Sequence, residues 1–96
     1  MELRKTKTFA DWLDSLRDIQ ARARVQARIE RLALGNAGDV CPVGSGVSEL
    51  RIDYGPGYRV YFTRKGEEII VLLAGGDKKS QTRDIKMAIH IALTLE

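Results

Sequence analysis

The feature that most constrains this chain is a change in the spacing of its apolar residues across a glycine-rich stretch at residues 35–46. Before that stretch, apolar residues recur every three or four positions, the spacing that puts them on one face of an α-helix. After it, apolar and polar residues alternate, the pattern of half-buried β-strands. The stretch itself contains Pro42 and three further glycines after Gly35, and is predicted to be a loop. The sequence therefore predicts an α+β protein.

Two amphipathic helices are predicted before this loop. Thr8 and Asp11 resemble a capping pair at the start of the first helix. The second helix is predicted from Ala21 to Leu34, where Gly35-Asn36 supplies a stop. No glycine or proline separates the two helices, so a bend at residues 17–20 and one long helix are both open. The apolar faces consist of Phe9, Trp12, Leu13, Leu16 and Ile19 in the first helix and Val25, Ile29 and Leu32 in the second.

Four strands are predicted. A short edge strand lies within Met1–Thr6, and two alternating strands, Glu49–Tyr54 and Tyr58–Thr63, flank a Gly55-Pro56-Gly57 turn. Ile69–Ala74 is apolar throughout, which indicates a central strand covered on both faces. With a helix at the C-terminus, the order is β-α-α-β-β-β-α in a single domain of 96 residues with a mostly antiparallel sheet.

The polar side chains of the two alternating strands are predicted to share one face. Pairing Tyr54 with Tyr58 would place Asp53 opposite Arg59, a pair that is either an ordinary cross-strand ion pair or part of an anion site. The same register would place Arg51 opposite Tyr61 and Glu49 opposite Thr63.

The C-terminal helix carries two apolar stripes. Ser80 is its predicted cap, and the stripe that faces the sheet contains Ile85, Ala88, Ile89 and Ala92. A second stripe is formed by Met87, Ile91 and Leu95. This stripe indicates either a deeply buried helix or a surface on which another chain docks.

Composition and charge exclude several classes of function. Lys and Arg number 16 against 13 Asp and Glu, which favours an anionic partner. Cys41 and His90 are the only residues of their types, so the sequence predicts no internal disulfide, zinc motif or triad, and we expect His90 at the surface. No metal and no cofactor are expected. The single cysteine and the absence of a signal-like or membrane-spanning apolar run predict a cytoplasmic protein without membrane association.

The cationic residues suggest a chemistry. Cleaving RNA without a metal needs a base for the 2′-hydroxyl, cations for the phosphate and an acid for the leaving oxygen. Arg59 is the best candidate for a phosphate clamp, because a guanidinium binds phosphate at two points. Residues that could converge with it are Arg51, Tyr61, Asp77, Lys78 and Lys79. A second basic stripe, on the second helix, either contacts phosphates or is a solvated face, and it contains Arg24, Arg28 and Arg31.

Two segments resemble a known group of proteins. With FADWL at 9–13, the segments ELRIDYGPGYRVYF at 49–62 and AGGDKKSQ at 74–81 resemble the RelE/ParE toxin superfamily. The likeness is greatest to its HigB-like, phage Gp49-like branch of addiction-module killer proteins. It implies a RelE-like fold and the toxin half of a type II toxin-antitoxin pair, usually an endoribonuclease that cuts mRNA on the ribosome and inhibits translation. The partner it implies is a small helix-turn-helix antitoxin, HigA-like, for which Met87, Ile91 and Leu95 are a possible docking stripe.

The resemblance also implies roles for individual residues. Arg59 matches the phosphate-binding arginine of the family, Lys78 or Lys79 matches a basic residue after the last strand, and Arg51 falls near basic strand positions. The C-terminal tyrosine or histidines of some relatives have no counterpart here, so Tyr61 and Asp77 are the candidates for proton transfer. The alternatives are a ParE-like protein that binds DNA gyrase without catalysis, and an interaction module without toxicity.

Overall fold

A computed structural model describes residues 1–95 of the chain, which form five strands and three helices. All four predicted strands and all three predicted helices occur in the expected order, and one strand is additional. The elements in chain order are β1 (Glu2–Lys5), α1 (Lys7–Ser15), α2 (Ile19–Ala33), β2 (Val40–Gly44), β3 (Val47–Ile52), β4 (Tyr58–Lys65), β5 (Ile69–Gly76) and α3 (Gln81–Thr94).

The strands form one mixed sheet in the order β1-β5-β4-β3-β2. β1 pairs with β5 in parallel, and the other neighbours are antiparallel. β5 lies between β1 and β4, and the side chains of Ile70 and Val71 enter the cores on opposite faces of the sheet. The predicted edge position of the first strand and the central position of Ile69–Ala74 are therefore confirmed.

The prediction of an uninterrupted loop at 35–46 was wrong, because this segment contains β2. Pro42 and the glycines made the segment look irregular, but an edge strand tolerates proline on its unpaired side. The ladder between β2 and β3 is irregular between Pro42 and Gly44. The chain is α+β as predicted, with a sheet of five strands instead of four.

The predicted register of the hairpin was shifted by two residues. Arg51 pairs with Arg59, and Glu49 pairs with Tyr61. The turn is longer than Gly55-Pro56-Gly57, because β3 already ends at Ile52 and β4 begins at Tyr58. A shift by an even number keeps each residue on its predicted face, so the odd-numbered side chains still share one side of the sheet.

Helices cover both faces of the sheet. α1 and α2 contribute Phe9, Leu13, Val25, Ile29 and Leu32 to one core, with Leu50, Val60 and Leu72 from the strands. α3 covers the other face, where Ala88 and Ile85 pack with Val71, Leu73 and Tyr61. The face predicted to be polar is therefore partly buried beneath α3.

The helix ends answer the question that the sequence left open. α1 and α2 are separate helices divided by residues 16–18. Asp18 caps α2 by accepting from the backbone N–H groups of Gln20 and Ala21. The cap of α1 is Thr6 and not Thr8, because the Thr6 hydroxyl accepts from the N–H of Phe9 at 3.0 Å.

The close approach of α1 to β5 generates a first prediction. A Cβ at Gly75 would lie 2.1 Å from a ring carbon of Trp12, so Gly75→Ala forces the indole out of its place. We expect a loss of about 1–3 kcal/mol in the free energy of unfolding, as for other overpacked cores. Urea denaturation measures it. The loss should shrink when Gly75→Ala is combined with Trp12→Leu, and equal losses in both backgrounds would contradict the packing explanation.

Candidate functional site

An open groove of about 490 Å³ lies on the side of the sheet that α3 covers, next to the N-terminal end of that helix. Its walls are the 53–57 turn and the loop between β5 and α3. Three cations line it, Arg51, Arg59 and Lys78. Two carboxylates, Asp39 and Asp53, line it as well. The sequence-predicted residues Arg51, Arg59 and Lys78 are therefore brought together.

Backbone pairing sets the positions of the three cations. Arg51 and Arg59 are directly opposite each other on β3 and β4. Lys78 reaches them because its backbone N–H donates to the carbonyl of Pro56 at 3.4 Å. Gly57 has a φ of 78°, a left-handed conformation that favours glycine, and a Cβ added there would lie 3.5 Å from Cβ of Lys78. Like charges opposite each other in a sheet are destabilising, so this arrangement concentrates positive charge at a cost in stability.

The guanidinium of Arg59 has no hydrogen-bond or ion-pair partner in the part of the chain described. Its Nε atom is buried and makes no hydrogen bond, and none of its guanidinium nitrogens lies within 4.0 Å of a described carboxylate. The predicted ion pair between Asp53 and Arg59 is therefore not formed. A buried donor without an acceptor costs about 1–3 kcal/mol, and an anion in the groove would supply the missing acceptor.

The carboxylate of Glu49 lies beneath the groove and is fully buried. Its Oε1 accepts from Nε of Arg51 at 2.9 Å. Its Oε2 accepts from the Tyr61 hydroxyl at 3.0 Å and from Nε2 of Gln81 at 2.9 Å. Burial alone would raise the pKa of Glu49, but these hydrogen bonds and the charge of Arg59 together lower the pKa below its ordinary value. The group is held as a carboxylate.

Tyr61 does not reach the groove. Its side chain is fully buried under α3, and burial, followed by the hydrogen bond to Glu49, raises the pKa of its hydroxyl. Tyr61, which the sequence predicts to converge with the arginines, is instead buried and donates a hydrogen bond to Glu49.

Asp77 and Lys79 lie to one side of the groove. Asp77 Oδ1 accepts from the backbone N–H groups of Lys79 at 2.9 Å and Ser80 at 3.2 Å, which orders the turn before α3. Ser80 occupies the predicted cap position, but its hydroxyl donates to Asp84 and accepts from the backbone N–H of Asp77 at 3.3 Å, and it accepts from no N–H of α3. A separate hollow of about 760 Å³ contains Asp77 and Lys79.

The three arginines of the predicted basic stripe on α2 lie in three different environments. Arg28 donates to the carbonyls of Arg51 at 2.9 Å and Ala37 at 3.3 Å, so it joins α2 to the sheet and the loop. Arg24 stacks on the Tyr54 ring, with its Cζ 4.5 Å from the ring centre. Arg31 is exposed and lines, with Arg24, a hollow that shares Asp53 with the groove.

The second stripe of α3 is only partly exposed. Met87 is 43% exposed, whereas Ile91 and Leu95 are half-buried and pack against the core under the helix. His90 is exposed, as predicted. Cys41 is half-buried on the edge strand. Within residues 1–95, no three His, Cys, Asp or Glu side chains are grouped to hold a metal ion, and none of the described helices has the length and apolar character needed to cross a membrane.

Comparison with known proteins places the chain in a family. Residues 11–95 match the family described as phage-derived protein Gp49-like (DUF891). The chain belongs to the Gp49-like family. Proteins of this family are commonly toxins of toxin-antitoxin modules. An uncharacterized protein of Haemophilus influenzae strain Rd is 45% identical over 95 residues, covering 99% of this chain and 96% of that protein.

Two residues of this Gp49-like protein's site, Glu49 and Asp39, were missed by the sequence reasoning. The sequence predicts Glu49 only as one polar residue of a shared face, because its burial depends on α3. For Asp53 the sequence leaves an ion pair with Arg59 and an anion site both open, and the structure forms no such ion pair. Asp39 lay in a segment predicted to be loop, and only the pairing of β2 with β3 brings it beside Arg51.

The lowered pKa of Glu49 predicts a pH dependence of stability. A carboxylate with a lowered folded-state pKa stabilises the fold above its unfolded value of 4.5, and this contribution is lost as pH falls through the folded value. At pH 7 we expect Glu49→Gln to be about 1–3 kcal/mol less stable than the wild type. The difference should narrow below pH 4.5. Urea denaturation at several pH values checks this, and a difference that stays constant would contradict it.

Proposed function

We propose that this chain is the toxin of a type II toxin-antitoxin pair, with a RelE-like fold, and that it cleaves mRNA on the ribosome without a metal ion. The observation that carries the proposal is the unpartnered guanidinium of Arg59 in a groove with Arg51 and Lys78. Family membership supports the toxin role.

The three cations suit the phosphate at the cleavage site. Arg59 would bind two phosphate oxygens, because its planar fork has no competing acceptor. Arg51 and Lys78 would add charge where the phosphate becomes pentavalent. Their positions are set before the substrate arrives, since β-strand pairing holds both arginines and the 56–78 backbone contact holds the loop.

The carboxylates of the groove are better candidates for the proton acceptor than Asp77 or Tyr61. Asp77 is engaged with two backbone N–H groups, and Tyr61 is buried with a raised pKa. Asp53 and Asp39 are exposed and line the same groove as Arg59. Asp53 is our first choice, because it also borders the hollow of Arg24 and Arg31, along which the RNA backbone could continue.

We further propose that a small helix-turn-helix antitoxin of the HigA type binds this toxin. Met87 is the exposed member of the predicted docking stripe, and Ile91 and Leu95 border it at the surface of α3. A complex in which Met87 stays solvent-exposed would contradict this docking site.

Substitution of Arg59 tests the nuclease function. In cells that induce the protein, we expect the wild type to produce new in-frame mRNA 5′ ends in translated messages and to arrest growth. Arg59→Ala should reduce cleavage by at least about 100-fold, the scale for losing a charge-stabilising group. Its melting temperature should not fall, because Arg59 faces Arg51 and lacks a partner. Primer extension and thermal denaturation measure the two effects.

Arg64→Ala is the matched control. Arg64 lies on the same strand, is exposed, and contacts only the Met1 sulfur among the bonds described. It should cleave like the wild type. Growth arrest with intact messages would contradict the nuclease and direct attention to DNA gyrase, and no arrest would leave an interaction module.

Asp53→Asn tests the proton acceptor. The substitution removes a negative charge from the groove, so RNA binding should be unchanged or tighter. Cleavage should nevertheless fall by about 100- to 10,000-fold if Asp53 is the base. Asp39→Asn removes the same charge from the same groove and should keep most of the cleavage. Single-turnover cleavage on programmed ribosomes separates the two variants, and the opposite ranking would assign the base to Asp39.

A further inference from the structure

We propose that Glu49 is a positioning residue of the groove, whose buried carboxylate holds Arg51 by its Nε atom so that the terminal amino groups of that guanidinium remain available to a phosphate. The inference deepens the proposed function and rests on it.

The strand geometry divides one face of the sheet into a buried and an open part. Glu49 and Arg51 are two residues apart on β3, so both side chains point to the α3 side. Gln81 begins α3 and covers Glu49, which is 0% exposed. The Arg51 side chain lies beyond the helix and is 40% exposed. A buried anion therefore meets a cation at the border of the groove.

The bond between them uses only one end of the guanidinium. Nε of Arg51 donates to Oε1 of Glu49 at 2.9 Å. Within residues 1–95, the structure gives the two terminal nitrogens of Arg51 no hydrogen bond. They are the part of the fork that can bind an oxyanion at two points.

Arg51 needs such an anchor because of its neighbour. Arg59 stands directly opposite and repels it, and fixing an arginine side chain in one rotamer costs conformational entropy. The charge of Glu49 also acts on Arg59 without contacting it. One buried carboxylate thus offsets part of the repulsion between the two arginines that line the groove.

Glu49 itself is unsuited to touch the substrate. Tyr61 and Gln81 both donate to its Oε2, and Arg51 occupies Oε1. Its carboxylate has no free, exposed oxygen with which to take a proton from RNA. Glu49 can therefore affect RNA binding only through the arginines or through the electrostatic effect of its charge, and not by direct contact with RNA.

The sign of the expected effect distinguishes positioning from simple electrostatics. Removing a negative charge beside a basic groove ordinarily strengthens the binding of a polyanion. If Glu49 positions Arg51, Glu49→Gln must weaken binding instead, because the amide is neutral and places a donor where the carboxylate accepted hydrogen bonds.

The test measures affinity independently of cleavage. The probe is a short, fluorescein-labelled, single-stranded 2′-O-methyl oligoribonucleotide, which lacks the attacking hydroxyl, and fluorescence anisotropy gives its Kd at low salt. We expect Glu49→Gln and Arg51→Ala each to weaken binding by about tenfold, the scale of one charge-assisted hydrogen bond. The double variant should bind no more weakly than Arg51→Ala alone.

Gln81→Met is the matched control, because it removes one donor from Glu49 and leaves the Arg51 bond intact. It should bind within about twofold of the wild type, despite the loss of a buried hydrogen bond. Should Glu49→Gln not fold, Arg51→Lys takes its place. A lysine keeps the charge but cannot both bind Glu49 and present a fork, so its affinity should match that of Arg51→Ala.

Each outcome of these measurements supports or overturns the positioning role of Glu49. Unchanged or tighter binding by Glu49→Gln, or losses that multiply in the double variant, would overturn the positioning role while leaving the RNA-binding proposal standing. Wild-type affinity in Arg51→Lys would overturn it in the same way. No binding by the wild-type protein would overturn the positioning role together with RNA binding by the free groove, whereas primer extension in cells decides separately whether the protein cleaves mRNA on the ribosome.

Discussion

The hydrogen-bonded carboxylate of Glu49 is the interaction on which the site depends. It receives donors from its own strand, from β4 and from the first residue of α3. Burying a carboxylate is costly unless it is paired and its oxygens accept hydrogen bonds. Because the three donors come from three elements and share one carboxylate, Glu49 links the start of α3, the β3–β4 register and the orientation of Arg51. The groove forms where this buried cluster ends.

The groove combines features that oppose stability. Two arginines face each other across the strands, and the buried Nε of Arg59 has no acceptor. Local violations of the rules for stable packing are typical of functional sites. A bound phosphate would remove both destabilising features, since it would neutralise the charge of the facing arginines and supply an acceptor for Nε of Arg59. The apolar cores on the two faces of the sheet stabilise the fold enough to offset the destabilising features of the site.

The arrangement of the cations could be predicted further than that of their neighbours. Arg59 and Arg51 were predicted to share a face because alternation along a strand is local. The two-residue error in register did not move either residue to the other face. Lys78 was predicted from its position after the central strand, although the sequence could not separate it from Lys79. The contacts of Arg28 could not be predicted from the sequence, because the spacing of residues along a helix does not show which carbonyls of other elements lie near each side chain.

The sequence by itself determined the apolar faces of the helices, the central strand and the side of the sheet on which each strand residue lies. These follow from apolar spacing and turn residues, which act over a few neighbouring positions. Only the tertiary structure decided which part of the face beneath α3 is buried and which part is exposed to solvent. α3 closes over Glu49 and Tyr61 and leaves Arg51 and Arg59 at its border. Burial and pKa depend on residues more than thirty positions away in the chain, as the bond between Gln81 and Glu49 shows. Periodicity carries no information about such contacts.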